Sequence, residues 1–206
     1  MEEIKSRAEA NRPLLDFGIA AFTLPGQSES GDRHIIAPFN GGVLVAVVDG
    51  IGHGSEAAKV ARVTEEILKN HPDEELTPLL KRCHEGLRGT RGVVMSLAVI
   101  NYAQKVMTWA GVGNVQGSLI SMDTLTPPRT LLVSMGTLGQ LLGAVYPTQV
   151  ALKSGDTLVL STDGVRENFI ENLYMKQTPQ QLADEIMVRS VRHTDDALVL
   201  VGRCFF

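Results

Sequence analysis

Two Asp-Gly pairs are the residues of this sequence best placed to do chemistry. Asp49-Gly50 ends the apolar run LVAVV, and Asp163-Gly164 ends the run TLVLST. An aspartate at the exit of a buried strand is held rigidly, and the glycine after it lets the chain fold back close to whatever the carboxylate binds. Asp-Gly is also a frequent turn dipeptide, so either pair alone more often indicates a plain turn.

Three further aspartates stand beside predicted strands. Asp32 follows the polar loop over residues 25–31, and the pair Asp195-Asp196 directly precedes the final apolar run. Acidic positions that converge repel one another unless a cation offsets their charge. Carboxylate oxygens without His or Cys ligands favour Mg²⁺ or Mn²⁺ over Zn²⁺. The sequence therefore predicts a site for one or two divalent ions.

The glycine-rich stretch over residues 50–54 offers a second interpretation, because glycine turns between a strand and a helix can hold phosphates. Its spacing is Gly-x-Gly-x-Gly rather than the dinucleotide pattern Gly-x-Gly-x-x-Gly, and the sequence contains no Gly-Lys-Ser/Thr element. Asp49, just before the stretch, would also repel a bare phosphate. Nucleotide binding is therefore disfavoured, and His53 within the stretch is compatible with a catalytic or a structural role.

Composition restricts the class of protein. The chain has 206 residues, 44% of them hydrophobic, and a formal net charge of −4, which suits one buried core and one domain over residues 1–206. Lys and Arg form no basic cluster, so we expect no nucleic-acid partner. Cys83 and Cys204 are too few for a disulfide framework, and we expect both to be reduced and structural.

The polar residues 1–12 do not resemble a signal peptide, and we interpret them as an N-terminal extension. The apolar runs elsewhere in the sequence are too short to span a bilayer. We therefore expect a cytoplasmic protein without a membrane partner.

Hydrophobic periodicity predicts the order of the secondary structure elements. Strands are predicted over 14–23, 43–48, 93–102, 105–110, 116–121, 130–134, 149–152, 157–161 and 197–203, and helices from residue 55, over 77–87 and over 179–191. Ser55 is the predicted N-cap of the first helix. Strands that cluster rather than alternate with helices favour an α+β fold with mainly antiparallel sheets.

Four sequence blocks occur in an order that resembles the PPM metal-dependent protein phosphatases, and in particular their bacterial SpoIIE-type branch. The blocks are VVDGIGHGSEA, AGVGN, LVLSTDGV and TDDALVLV, and the resemblance covers nearly the whole chain, from Leu14 to Cys204. It implies an αββα sandwich of two mainly antiparallel sheets flanked by helices. It also implies a centre of two Mn²⁺ or Mg²⁺ ions, with Mn²⁺ favoured, in a cleft at the edge of the sandwich.

The resemblance also implies roles for individual residues. Asp49 matches the ligand that bridges both metals, and Gly50 matches the position that offers its backbone carbonyl. Asp163 and Asp195 match ligands of the same centre, and Asp32 matches an acidic residue that acts through metal-bound water. Supporting positions beside these ligands are His53, Gly164 and Asp196.

Three departures from the family pattern bear on the site. Asn114 stands where many members carry an aspartate that helps to hold a third metal, which argues against a third metal here. The eukaryotic arginine that binds phosphate has no clear match, because Arg33 follows Asp32 and its direction is open. Ala197-Leu198 replaces the threonine that is usual after the final Asp pair. None of these changes removes a residue that matches a metal ligand.

The resemblance implies a protein serine/threonine phosphatase that hydrolyses phosphoserine or phosphothreonine with a water bridging two metals. The short stand-alone members of the branch imply its partners, which are phosphorylated STAS-domain scaffold proteins of the stressosome, of the RsbS and RsbR kind. Dephosphorylation would reset stress signalling. One alternative is a non-catalytic module of the same fold that binds phosphoproteins. Another is a nucleotide-dependent kinase or ATPase, which Ile51 disfavours because it occupies a required glycine position. Residues 136–145 are compatible with a flap near the site or with simple packing.

Overall fold

The apolar runs before the two Asp-Gly pairs form inner strands of two antiparallel sheets. In the computed structural model, which describes residues 14–123 and 126–206, the first run lies in β3 (Gly42–Gly50) and the second in β11 (Thr157–Ser161). Both strands are buried along nearly their whole length because both of their faces are covered.

The other strands are β1 (Leu15–Phe22), β2 (Asp32–Phe39), β4 (Val93–Asn101), β5 (Val106–Val112), β6 (Gln116–Ile120), β7 (Arg129–Leu131), β8 (Gly136–Thr137), β9 (Leu141–Leu142), β10 (Thr148–Ala151) and β12 (Ala197–Cys204). The helices are α1 (Gly54–Asn70), α2 (Leu76–Gly86) and α3 (Pro179–Ser190).

The strands divide into two five-stranded sheets. The first sheet has the order β1-β12-β11-β6-β7, and the second has the order β10-β5-β4-β3-β2. Every pairing within these sheets is antiparallel, as the clustering of the predicted strands indicates. In the first sheet β12 lies between β1 and β11, so elements from both ends of the described chain are neighbours.

Three apolar clusters define the layers of the molecule. The cluster between the two sheets contains the buried Trp109. Helices α1 and α2 pack on the outer face of the second sheet through Leu68 and Leu79, and α3 packs on the outer face of the first sheet through Leu182 and Ile186. This arrangement is the αββα sandwich that the family resemblance implies.

All three helices begin within one residue of the predicted positions. Helix α3 begins with a capping box, in which the Thr178 hydroxyl accepts the N–H of Gln181 and the Gln181 side chain accepts the N–H of Thr178. The prediction that Ser55 caps α1 is wrong. His53 holds the N-cap position, because Gly54 with a φ of 75° turns the chain into the helix one residue earlier. No helix in the described part of the chain has both the length and the apolar character needed to cross a membrane.

The structure contains strand β2, which the sequence analysis missed. Its polar start and its proline near the end hide an alternation in which Ile35 and Ala37 are buried, and Asp32 at its start is buried too. Pro38 is tolerated because β2 is an edge strand. Asp32 therefore begins a strand instead of ending a loop, and this pairing places it opposite Asp49.

The segment between β7 and β10 also differs from the prediction. Residues 132–134 leave the sheet, so β7 is shorter than predicted, and the hairpin β8-β9 forms within residues 136–145. Gln140 Nε2 ties the hairpin to the carbonyls of Thr90 and Arg91, each at 3.1 Å. Leu132 and Met135 remain 83% and 90% exposed.

Both cysteines are free and buried, and they lie in different layers. Burial raises the pKa of each thiol, Cys83 and Cys204, to about 12. Neither thiol forms a thiolate near neutral pH, which agrees with the structural role that the sequence predicts.

Candidate metal centre

The predicted carboxylates come from strand ends that meet at one end of the sandwich. Asp49 is the penultimate residue of β3 and pairs directly with Asp32, the first residue of β2. Asp163 lies two residues after β11, and Asp195 lies two residues before β12. Because β11 and β12 are antiparallel neighbours, the end of one lies beside the start of the other. The structure thus brings carboxylates from both sheets to one place.

The electrostatics of the carboxylates reflect this crowding. Burial is the main cause that raises the pKa of Asp49, and the charges of Asp32, Asp163 and Asp195 raise it further. Burial likewise raises the pKa of Asp32, although a hydrogen bond from Thr162 opposes the change. Burial also raises the pKa of Asp195. Each negative charge is therefore costly in the absence of a cation.

The donor set fits a hard divalent cation. Four carboxylates and the backbone carbonyl of Gly50 offer oxygen alone, which suits Mg²⁺ or Mn²⁺. Gly50 is buried, and its N–H donates to the Gly31 carbonyl at 3.1 Å, so its backbone is fixed. Among the described residues, no three His, Cys, Asp or Glu side chains already stand in ligand geometry. A cation would therefore have to draw these carboxylates inward.

Thr162 connects the two sheets at this site. Its hydroxyl donates to Asp32 Oδ2 at 2.8 Å and accepts the N–H of Leu198 at 2.8 Å. Thr162 is buried, so both hydrogen bonds are shielded from water. The sequence analysis missed this residue, although it stands directly before Asp163 in the STDG motif.

Asn114 lies against the same centre. Its Nδ2 donates to Asp163 Oδ2 at 2.8 Å, which leaves the other oxygen of Asp163 free of this bond. An amide at this position holds the carboxylate without adding a negative charge. The contact shows that Asn114 faces Asp163, as the match with the family aspartate requires.

Asp196 differs from its neighbour Asp195 in what its carboxylate contacts. Its two oxygens accept the N–H groups of Leu24 at 2.8 Å and Gly31 at 2.7 Å, and the residue is 4% exposed. Both oxygens are therefore committed to the loop that leads to Asp32. This supports the sequence-based choice of Asp195 over Asp196 as the residue that could hold a metal.

We expect Asp196→Asn to destabilise the protein. The amide replaces one acceptor by a donor, so the N–H of Leu24 or Gly31 loses its partner at a cost of about 1–3 kcal/mol. Urea unfolding measures this loss. The exposed Asp184, whose carboxylate accepts a bond from Gln180 on the surface of α3, provides the control Asp184→Asn, for which we expect no measurable change. Equal stability of the two variants would contradict the anchoring role.

Close packing explains why a glycine follows the aspartate in both Asp-Gly pairs. A Cβ on Gly164 would lie 1.9 Å from the carbonyl oxygen of Asp196, and a Cβ on Gly50 would lie 2.4 Å from that of Ala57. His53, the third supporting position, is exposed at the start of α1, and it slightly opposes the rise that burial causes in the pKa of Asp195. His53 therefore lies near the carboxylates, as the sequence suggests.

The structure gives the direction of Arg33. Its side chain lines a cavity of about 320 Å³ with His34, Glu65 and Lys69. The Arg33 Nε is buried there without a hydrogen-bond partner. The side chain of Arg33 thus points from β2 toward α1.

We expect the stability of the metal-free protein to fall as pH rises. The pKa of Asp32 is raised from 3.8 to about 7 and that of Asp49 to about 9, so the folded state holds more protons than the unfolded state across this range. The stabilisation is complete below the unfolded pKa and is lost as pH rises through the folded values. Thermal unfolding in EDTA across this pH range measures the effect.

Divalent ions should reverse this trend, because they stabilise the ionised carboxylates and compete with protons. The rise in Tm on adding Mn²⁺ should therefore be larger near pH 8 than near pH 6. A metal-induced rise that does not depend on pH would show that these carboxylates are not the ligands.

Comparisons with known proteins agree with this geometry. A family model described as Stage II sporulation protein E (SpoIIE) matches residues 40–204. Phosphoserine phosphatase RsbX of Bacillus subtilis (strain 168) is 25% identical over 182 residues, which are 86% of this chain and 89% of RsbX.

Solved structures show the same fold. A chain from the work "The bacterial stressosome: a modular system that has been adapted to control secondary messenger signaling" superposes with a TM-score of 0.83 at 28% identity, over 92% of this chain and 99% of that chain. RsbX in complex with magnesium superposes with a TM-score of 0.83 at 20% identity, over 94% and 97% of the two chains. From the family match over most of its length, and from its αββα fold, we conclude that this chain belongs to the SpoIIE family of PPM-type protein phosphatases.

Proposed function

We propose that this protein phosphatase is a metal-dependent enzyme that removes phosphate from serine or threonine of STAS-domain stressosome scaffold proteins. The observation that carries the metal dependence is the convergence of four aspartates from the ends of four strands in two sheets. Divalent cations would offset the mutual repulsion of such a cluster and stabilise its ionised form. The non-catalytic alternative is less well supported, because this chain keeps an aspartate at every position that matches a primary metal ligand.

Each carboxylate has a distinct place in the proposal. Asp49, the most crowded, would bridge two ions with help from the Gly50 carbonyl, and Asp163 and Asp195 would each hold one side of the centre. Asp32, fixed by the Thr162 hydroxyl, would orient water. When bound, two Mn²⁺ or Mg²⁺ ions supply an activated water and offset the charge of the phosphoryl group.

Two comparisons support the proposed partners. RsbX is named a phosphoserine phosphatase, and a chain of similar fold and 28% identity belongs to a study of the bacterial stressosome. Magnesium in the RsbX structure supports a divalent ion as the cofactor.

The test is phosphate release from a phosphorylated STAS-domain scaffold protein, measured with Mn²⁺, with Mg²⁺ and with excess EDTA. We expect release with either ion, faster with Mn²⁺, and none in EDTA. Tight binding of the phosphoprotein without release would favour the non-catalytic module. Hydrolysis of p-nitrophenyl phosphate without release from the scaffold would leave the phosphatase intact and reject the proposed partner.

A further inference from the structure

The side chain of Arg91 lies against the glycine-rich turn that follows Asp49. A Cβ built on Gly52 would stand 2.9 Å from Nη1 of Arg91, so the guanidinium occupies the space beside Gly52. The pairing of β3 with β4 continues past the strand ends, because the N–H of Ile51 donates to the Gly92 carbonyl at 3.1 Å. Arg91 thus lies directly across from Gly52.

This position is at the rim of the candidate metal centre. The Gly52 carbonyl oxygen would be 3.5 Å from a Cβ on Gly31, the residue that precedes Asp32. Gly52 is three residues from Asp49, which is at most about 10 Å in an extended chain. An extended arginine side chain covers much of that distance, so its guanidinium can reach a group bound at the centre.

Among the residues that the structure describes, the guanidinium of Arg91 has no partner, a property that it shares with other surface arginines such as Arg192, and its place beside Gly52 is what distinguishes it. In the described part of the chain its side chain forms no ion pair and no hydrogen bond, and it is exposed. Four other arginines pair with glutamates, and these are Arg62, Arg82, Arg88 and Arg189. The backbone of Arg91, by contrast, is held by Gln140, as described above. The structure therefore presents an unpaired cation on an anchored backbone beside an acidic centre.

We propose that Arg91 binds the phosphoryl group of the substrate as it enters the metal centre. The proposal rests on the proposed function, since it assigns a phosphate-binding group to the same site. A phosphate dianion is repelled by the carboxylates, and a planar guanidinium offers two parallel N–H donors to phosphate oxygens. Arg91 supplies this attraction without taking part in metal binding.

Direct binding of inorganic phosphate to the Mn²⁺-loaded protein tests the proposal without requiring turnover. We expect Arg91→Ala to raise the Kd for phosphate, measured by calorimetry, about tenfold or more, because a charge-assisted bidentate contact is lost. Arg91→Lys should recover part of the affinity, since lysine keeps the positive charge but lacks the two parallel N–H donors of the guanidinium. Binding of Mn²⁺, measured by the rise in Tm, should stay as in the wild type.

Kinetics give a second readout. With a phosphoserine peptide, Arg91→Ala should raise KM and the inhibition constant of phosphate by similar factors and lower kcat less. The matched control is Arg88→Ala, three residues away and paired with Glu85, which should change neither constant.

Two results would overturn the assignment. One is an unchanged Kd for phosphate in Arg91→Ala. The other is an equal loss of affinity in Arg192→Ala, whose backbone N–H bonds the Gly164 carbonyl on the opposite side of the centre, because that would indicate general attraction by surface charge. Failure of the proposed function would give another result. The wild type would then bind phosphate through Arg91 but would release no phosphate from phosphoproteins.

Discussion

Asp49→Asn should lower the kcat/KM for manganese-dependent hydrolysis of p-nitrophenyl phosphate by about 1000-fold or more while the fold is retained. Asp49 is the carboxylate most affected by its neighbours, so a neutral amide there weakens the attraction for both proposed ions at once. Circular dichroism and a metal titration accompany the assay. Full activity in the variant, or in wild type with excess chelator, would reject metal-dependent catalysis at this site.

The same substitution should have the opposite effect on the metal-free protein. Because the pKa of Asp49 is raised to about 9, its carboxyl must take up a proton on folding at pH 8, whereas a neutral amide needs none, so the variant should unfold at a higher temperature than wild type in EDTA at pH 8. The exposed Asp73 provides the control Asp73→Asn, which should change neither activity nor Tm. A variant that is inactive and also less stable in EDTA would indicate damage to the fold rather than loss of a ligand.

Gly164→Ala should destabilise the protein by about 3 kcal/mol or more, since overpacking against the backbone cannot be relieved by rotating a side chain. The new Cβ would lie 1.9 Å from the Asp196 carbonyl oxygen and 2.9 Å from the Ala197 Cβ. The segment must therefore move, and it carries Asp163 on one side of the contact and Asp195 on the other. Urea unfolding and the kcat/KM measure both consequences.

Gly143→Ala is the matched control for this variant. A Cβ on Gly143 would meet only the Met135 carbonyl, at 3.5 Å, which is an ordinary contact. The substitution should be neutral or slightly stabilising, because alanine restricts the unfolded chain more than glycine does. If Gly164→Ala unfolds at the same urea concentration as Gly143→Ala, the contact between Gly164 and the Asp196 carbonyl is not as tight as the structure indicates.

The parts of the fold that the sequence predicts are those set by local patterns. The continuous apolar runs of β3 and β11 and the periodicity of the helices are local features, and they survive in the structure with small shifts at their ends. Strand β2 was missed because an edge strand needs fewer apolar residues and tolerates Pro38. Its existence depends on pairing with β3, which is not visible within the segment itself.

The candidate site likewise contains residues that local sequence patterns predict and residues whose role depends on distant contacts. Asp49, Asp163 and Asp195 could be predicted because each stands at a recognisable strand end, whereas Asp32 could be predicted only from its match with a known family. Thr162 and Arg91 could not be predicted, because their importance lies in contacts with residues far away in sequence, such as the bond from Thr162 to Asp32. The contact between Asp196 and the loop could not be predicted either, because the carboxylate of Asp196 accepts the N–H of Leu24, which is 172 residues away in the sequence.

The position of β12 between β1 and β11 has a consequence for synthesis on the ribosome. β1 is the first described strand to emerge, and its partner in the first sheet is the last, with Leu15 paired to Cys204. The second sheet can form early from β2 to β5, whereas the first sheet must wait for Asp195 and the strand after it. Contacts this distant in sequence are slow to form. Nascent chains should therefore expose the inner face of the second sheet until β12 has been translated, and they should gain affinity for divalent ions only then.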